Sequence, residues 1–66
     1  MEIVVNGNPR MVAPGTTIAS LLRDLSLPSM RVAVERNREI ARKTEYGTVV
    51  LRAGDRIEIV TFVGGG

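Results

Sequence analysis

One stretch of this chain carries the period of an amphipathic helix. Ile18, Leu21, Leu22 and Leu25 stand at i, i+3, i+4 and i+7, which places them on a single stripe. Around it the chain is β-patterned or turn-like. A sheet with an apolar face must have that face covered, and this stripe is the available cover. The expected arrangement is therefore α+β, with one sheet of four to five strands and a single helix across one face. The residues expected to meet the helix are Ile3, Val5, Val34, Leu51, Ile57 and Ile59.

The flanking segments give the order of elements. Glu2-Ile3-Val4-Val5 is short and β-branched, and Asn6-Gly7 after it supplies the two positive-φ residues of a tight hairpin. Pro9 through Ala13 reads as the return strand, with Pro9 at its start, where a missing N–H does least harm. Thr16-Thr17 offers an N-cap for the helix. Neither threonine has Glu or Gln three residues later, so no capping box is expected. Pro28 disfavours helical geometry at Leu27 and ends the helix near Leu25 or Ser26, after about ten residues.

Beyond the helix, Val32-Ala33-Val34 begins a strand, and Glu35 to Glu39 is polar enough for a turn or an exposed edge. Arg42 to Gly47 reads as irregular. Thr48-Val49-Val50-Leu51 reads as a short strand and Ala53-Gly54-Asp55 as a turn. Arg56 to Val63 is the strongest strand signal, with Ile57 and Ile59 on one face and Arg56 and Glu58 on the other.

Length and composition narrow the function. A chain of 66 residues makes one small domain, with little room for an enclosed substrate cavity. Histidine and cysteine are both absent, which removes the usual general base, thiolate chemistry and the commonest metal ligands. Serine and threonine have no histidine to activate them, and the glycines match no dinucleotide or phosphate loop. Glu35 and Glu39 lie in a turn-like stretch without a cleft. The chain reads as a non-enzyme, cytoplasmic, without metal, bound cofactor or membrane span.

Five cations fall between Arg31 and Lys43 (Arg31, Arg36, Arg38, Arg42 and Lys43), with Glu35 and Glu39 interleaved. This is a solvated surface rather than a nucleic-acid site, because Tyr46 and Phe62 are the only aromatic residues available for base stacking.

The chemistry-bearing feature that remains is the final run Gly64-Gly65-Gly66, fed directly by the last strand. Glycine has no Cβ, so such a tail can thread a narrow channel and lie close against a nucleotide. Extended, the four residues from Val63 reach about 13 Å. The division is thus a compact body over residues 1–63 and a flexible tail over 64–66, with the Gly66 carboxylate as the reactive group. Val60 and Phe62 continue the alternation onto the face away from the helix, and Val4, out of phase with Ile3 and Val5, joins them. Exposed apolar residues beside a reactive tail suggest a partner-docking surface.

Taken in order, these residues resemble the ThiS branch of the ThiS/MoaD family of ubiquitin-like β-grasp proteins. The likeness rests on Met1-Glu2-Ile3 with Asn6-Gly7, Thr17 before Leu21-Leu22, and Val32-Ala33-Val34-Glu35 followed by Asn37. Leu51, Gly54-Asp55, Glu58-Ile59-Val60 and Gly65-Gly66 complete it, so that it spans essentially the whole chain. Gly64 stands where some members carry another residue, and Tyr46 where an aromatic is common.

The resemblance implies a sulfur carrier of thiamine (thiazole) biosynthesis. A ThiF-type adenylyltransferase would spend ATP to adenylate Gly66. Sulfur from a persulfide donor would displace AMP and leave a thiocarboxylate, and a ThiG-type thiazole synthase would take the sulfur. The same terminal chemistry would serve a MoaD-like carrier for molybdopterin synthesis, or a ubiquitin-like modifier joined to lysines.

Overall fold

The computed structural model describes residues 1–62. Five strands form one mixed sheet in the order β2-β1-β5-β3-β4. They are β1 (Glu2–Val5), β2 (Asn8–Met11), β3 (Val32–Arg36), β4 (Glu39–Ile40) and β5 (Arg56–Thr61). The last strand takes the centre, parallel to β1 and antiparallel to β3. A single helix, α1 (Ile18–Asp24), covers one face, and short 3-10 turns occupy Ser29–Arg31 and Lys43–Glu45. The body is the β-grasp arrangement that the family resemblance implies.

Two hairpins are set by backbone handedness. Asn6 and Gly7 take φ of 48° and 82° between β1 and β2, the pairing that an Asn-Gly turn favours. Asn37 and Arg38 do the same between β3 and β4, with φ of 52° and 70°. The polar segment from Glu35 to Glu39 is thus a tight turn that carries a two-residue edge strand.

The helix is fixed at both ends by local hydrogen bonds. The Thr17 side chain accepts from the Ser20 backbone N–H at 3.1 Å, and the Ser20 hydroxyl oxygen accepts from Thr17 N–H at 2.9 Å. A capping box therefore exists, contrary to the sequence expectation, because serine can close it as Glu or Gln usually does. At the other end Ser26 N–H donates to Arg23 O at 3.0 Å and Leu27 N–H to Leu22 O at 2.9 Å. This is a Schellman ending with Ser26 at φ 59°, in the left-handed position that glycine usually fills. It stops the helix at seven residues rather than about ten.

Ile3, Leu51, Ile57, Ile59 and Val34 are buried against Ile18, Leu21 and Leu22, as their spacing predicts, while Val5 and Leu25 are half-buried at the rim. Two further core residues stand out: Val32 and Tyr46. Tyr46 follows the second 3-10 turn, and its carbonyl accepts Ala19 N–H at 2.8 Å, which ties that segment to the helix.

The strand expected over Thr48 to Leu51 is absent. Thr48 and Val49 donate their N–H groups back to Glu45 O, and Leu51 donates to Thr16 O at 2.8 Å. The β contact there is an isolated bridge between Thr17 and Val50. This stretch crosses beneath the start of the helix and delivers Leu51 to the core. Its apolar composition reflects that burial and not membership of the sheet.

A polar knot joins the far end of the sheet. Asp55, 7% exposed, accepts from Arg36 Nε at 2.9 Å, Asn37 Nδ2 at 3.1 Å and Arg52 N–H at 2.8 Å. Asn37 Oδ1 in turn accepts Arg56 N–H at 2.9 Å. Burial pushes the Asp55 carboxyl up, but the hydrogen bonds from Arg52, Asn37 and Arg36 and the Arg36 charge outweigh it, so its pKa is lowered. Glu2 O accepts Gly54 N–H and Asp55 O accepts Val4 N–H, which ties this turn to β1.

Candidate functional site

Because β5 is central, the chain leaves the body from the middle of the sheet and not from an edge. Two devices hold that exit. On the β1 side the strand has already ended, and the Asn6 side chain continues the ladder in its place. Its Oδ1 accepts Ile59 N–H at 2.7 Å and its Nδ2 donates to Ile59 O at 3.2 Å. On the β3 side, Phe62 N–H donates to Arg31 O at 2.8 Å, one pair beyond the end of β5.

Lys43 completes this exit. Its ammonium donates to Val32 O at 2.7 Å and Ser29 O at 2.9 Å, carbonyls at the edge that β4 is too short to cover. It also lies 5.8 Å from the Tyr46 ring centre and 5.9 Å from that of Phe62, within cation–π range. Sequence reading had placed Lys43 only in a solvated charge run, since a lysine chelated by carbonyls leaves no spacing signature.

The sequence-predicted surface residues lie as follows. Val60 pairs with Ala33 on the face away from the helix and is 60% exposed, and Phe62 is 53% exposed. Val4 shares that face but is half-buried, level with Arg56. Four residues of β5 separate it from Val60, about 13 Å. Val60 and Phe62 therefore adjoin at the exit while Val4 sits further back. The pairing register also puts Ile40, opposite Glu35, and Met11, opposite Glu2, on this face. Both are strongly exposed. The register of β4, visible once the Asn37-Arg38 turn is known, is the signal that finds Ile40.

Gly64, Gly65 and Gly66, together with Val63, lie outside the described residues. Among the described residues no group of three or more carboxylates could hold a metal, and no helix is long and apolar enough to cross a membrane. A groove of about 360 Å³ between the first hairpin and the helix end is lined by Asn6, Pro9, Arg10, Leu25, Leu27 and their neighbours. It contains no carboxylate for acid–base work. Of the five clustered cations, Arg36 is committed to Asp55 and Lys43 to backbone carbonyls.

A five-stranded mixed sheet gripping one helix, with the last strand at its centre, defines a ubiquitin-like β-grasp domain. The crystal structure of the thiamine biosynthesis protein (ThiS) from Geobacter metallireducens is similar over the full length of both chains, with a TM-score of 0.85 and 32% identity. The model of the ThiS family matches residues 3–66. The chain belongs to the ThiS family. The sulfur carrier protein ThiS of Bacillus subtilis is 52% identical over 50 residues, which cover 76% of each chain. A thiazole synthase of Paramagnetospirillum magneticum is 46% identical over 66 residues, all of this chain and 20% of that protein. A second, from Magnetococcus marinus, has the same identity and coverage. The chain thus spans about a fifth of the length of these two curated relatives.

Proposed function

We propose that this chain is a sulfur carrier for thiazole formation in thiamine biosynthesis, with Gly66 as the group that is activated and loaded. The observation that carries the reading is where the ladder ends. Phe62 makes the last described backbone bond, and Val63-Gly64-Gly65-Gly66 follows it in the sequence. Those four residues reach about 13 Å, enough to present a carboxylate in a neighbouring enzyme's site while the body stays outside.

A carboxylate is a poor electrophile until it bears a good leaving group. Adenylation by a ThiF-type enzyme using ATP supplies one. The terminal sulfur of a persulfide then displaces AMP to give an acyl disulfide, and a thiol that attacks its outer sulfur releases the thiocarboxylate and is left in a disulfide with the donor. None of these steps needs a catalytic side chain from the carrier, which fits a chain without histidine or cysteine. A ThiG-type thiazole synthase is the proposed acceptor. The two relatives named thiazole synthase, each of which contains a segment matching this entire chain, support that choice.

Val60 and Phe62, with Val4 behind them, form the proposed docking face for the activating enzyme, and Gly64 and Gly65 the proposed arm that carries Gly66. The test is complementation of cells that lack their own carrier and need thiazole. The intact chain restores growth, whereas the chain without Gly66 does not. Full growth from the shortened chain would remove the proposal.

A further inference from the structure

An activated acyl group at the end of a chain can meet the amines of that same chain. Self-capture would form a C–N bond between an amine nitrogen and the Gly66 carbonyl carbon. The C–O bond to the adenylate phosphate would break, AMP would leave, and the amine proton would pass to water. This chain has two amines, Met1 and Lys43, and all its other cations are arginines, which stay protonated.

The two amines are disarmed differently. Met1 donates to Val12 O at 2.8 Å at the far end of the sheet from the exit. Because β1 and β5 are parallel with Val4 level with Arg56, Met1 lies beyond the start of β5. The six steps from Arg56 to Phe62 alone span about 20 Å, more than the tail's reach of about 13 Å. Lys43 lies within that reach, 5.9 Å from the Phe62 ring. Its ammonium is held by Ser29 O and Val32 O and lies near two rings. To attack, it must lose a proton and turn a lone pair outward, abandoning bonds that complete the sheet edge.

We propose that this placement keeps the chain from capturing its own activated terminus: Lys43, though exposed, has its ammonium held by two backbone carbonyls, Met1 is out of reach, and the remaining cations are guanidinium groups. The proposal rests on the reading of Gly66 as the activated carboxylate. A compact ammonium suits the two-carbonyl site at the edge, so lysine is kept where it is locked and arginine stands everywhere else.

The test uses the full chain with Gly66 prepared chemically as an alkyl thioester, the same acyl group with a thiol leaving group. Its outcome is therefore independent of whether any enzyme activates Gly66. Intact mass is followed at about pH 8, where roughly one ordinary lysine amine in 250 is deprotonated at any moment. Hydrolysis returns the free acid, and self-capture gives a product one water lighter, whose branch point peptide mapping locates. Wild type and Lys43→Arg are expected to hydrolyse alike. Arg31→Lys, which places an unlocked amine beside the tail root, is expected to self-capture at least about tenfold faster by proximity. Branching at Lys43 in the wild type as fast as in Arg31→Lys would overturn the proposal. So would an Arg31→Lys chain that fails to close, since a free amine at the exit would then be harmless.

Discussion

Replacing Asp55 by alanine removes the acceptor for three donors at once. The Arg52 N–H and Asn37 Nδ2 bonds are at 2.8 and 3.1 Å, and the Arg36 Nε bond at 2.9 Å carries charge. All three reach an ionised carboxylate, so each contributes at least about 1 kcal/mol, and the Arg36 bond, charged at both ends, about 1.5–3 kcal/mol. Arg36, with its side chain 30% exposed, recovers part of its hydration when its partner is lost. The expected net loss is about 3 kcal/mol, a large share of the few kcal/mol that stabilise so small a domain. Urea unfolding followed by circular dichroism reads this directly. With a slope of about 1 kcal/mol per molar, the midpoint falls by roughly 3 M.

The same carboxylate sets an acid dependence. Its folded pKa lies below the unfolded value, so its stabilisation is present above about pH 4 and is lost as pH falls through the folded pKa. Asp55→Asn lacks that component, and its stability changes less than that of wild type as the pH falls from neutrality into that range. A midpoint shift under about 0.5 M for Asp55→Ala, or identical acid profiles for wild type and Asp55→Asn, would refute the account of the knot.

Three further substitutions probe separate parts of the chain. Thr17→Ala removes the helix cap and lowers stability by about 1 kcal/mol, seen as a fall in Tm of roughly 4–8 °C. Ser26→Gly relieves the left-handed serine of the Schellman ending and raises stability by about 0.5–1 kcal/mol, read in the same melts. Phe62→Asp places a charge on the proposed docking face and weakens binding to a ThiF-type enzyme at least about tenfold by titration calorimetry, with the fold intact by circular dichroism. Unchanged affinity in that well-folded variant would remove Phe62 from the docking face.

What could be read from the chain follows from how local each signal is. The Asn6-Gly7 hairpin, the helical stripe and the alternation of Ile57 and Ile59 are local patterns, and each appears in the fold as expected. Thr48 to Leu51 misled because a crossing segment that buries Leu51 shares its apolar composition with a strand. Its backbone partners, Glu45 and Thr16, carry no mark in the sequence. The Asp55 knot reaches Arg36 and Asn37 across 19 and 18 positions, and Asn6 reaches Ile59 across 53. No window along the chain contains both members of such a pair.

The candidate site divides the same way. Alternation alone placed Val60 and Phe62 on the open face, whereas the distance of Val4 from them needed the sheet register. Lys43 was hidden because its partners are carbonyl groups, which every residue has. The glycine tail was conspicuous in composition, and it lies outside the described residues.

Intact mass of the chain after incubation with ATP, a ThiF-type enzyme, a persulfide source and a thiol reductant reports most directly on Gly66. One terminal oxygen is expected to be replaced by sulfur, and the change is expected to vanish when Gly66 is deleted or one residue is added after it. Sulfur retained on either altered chain would contradict the central claim, as would an unmodified native chain with all components active.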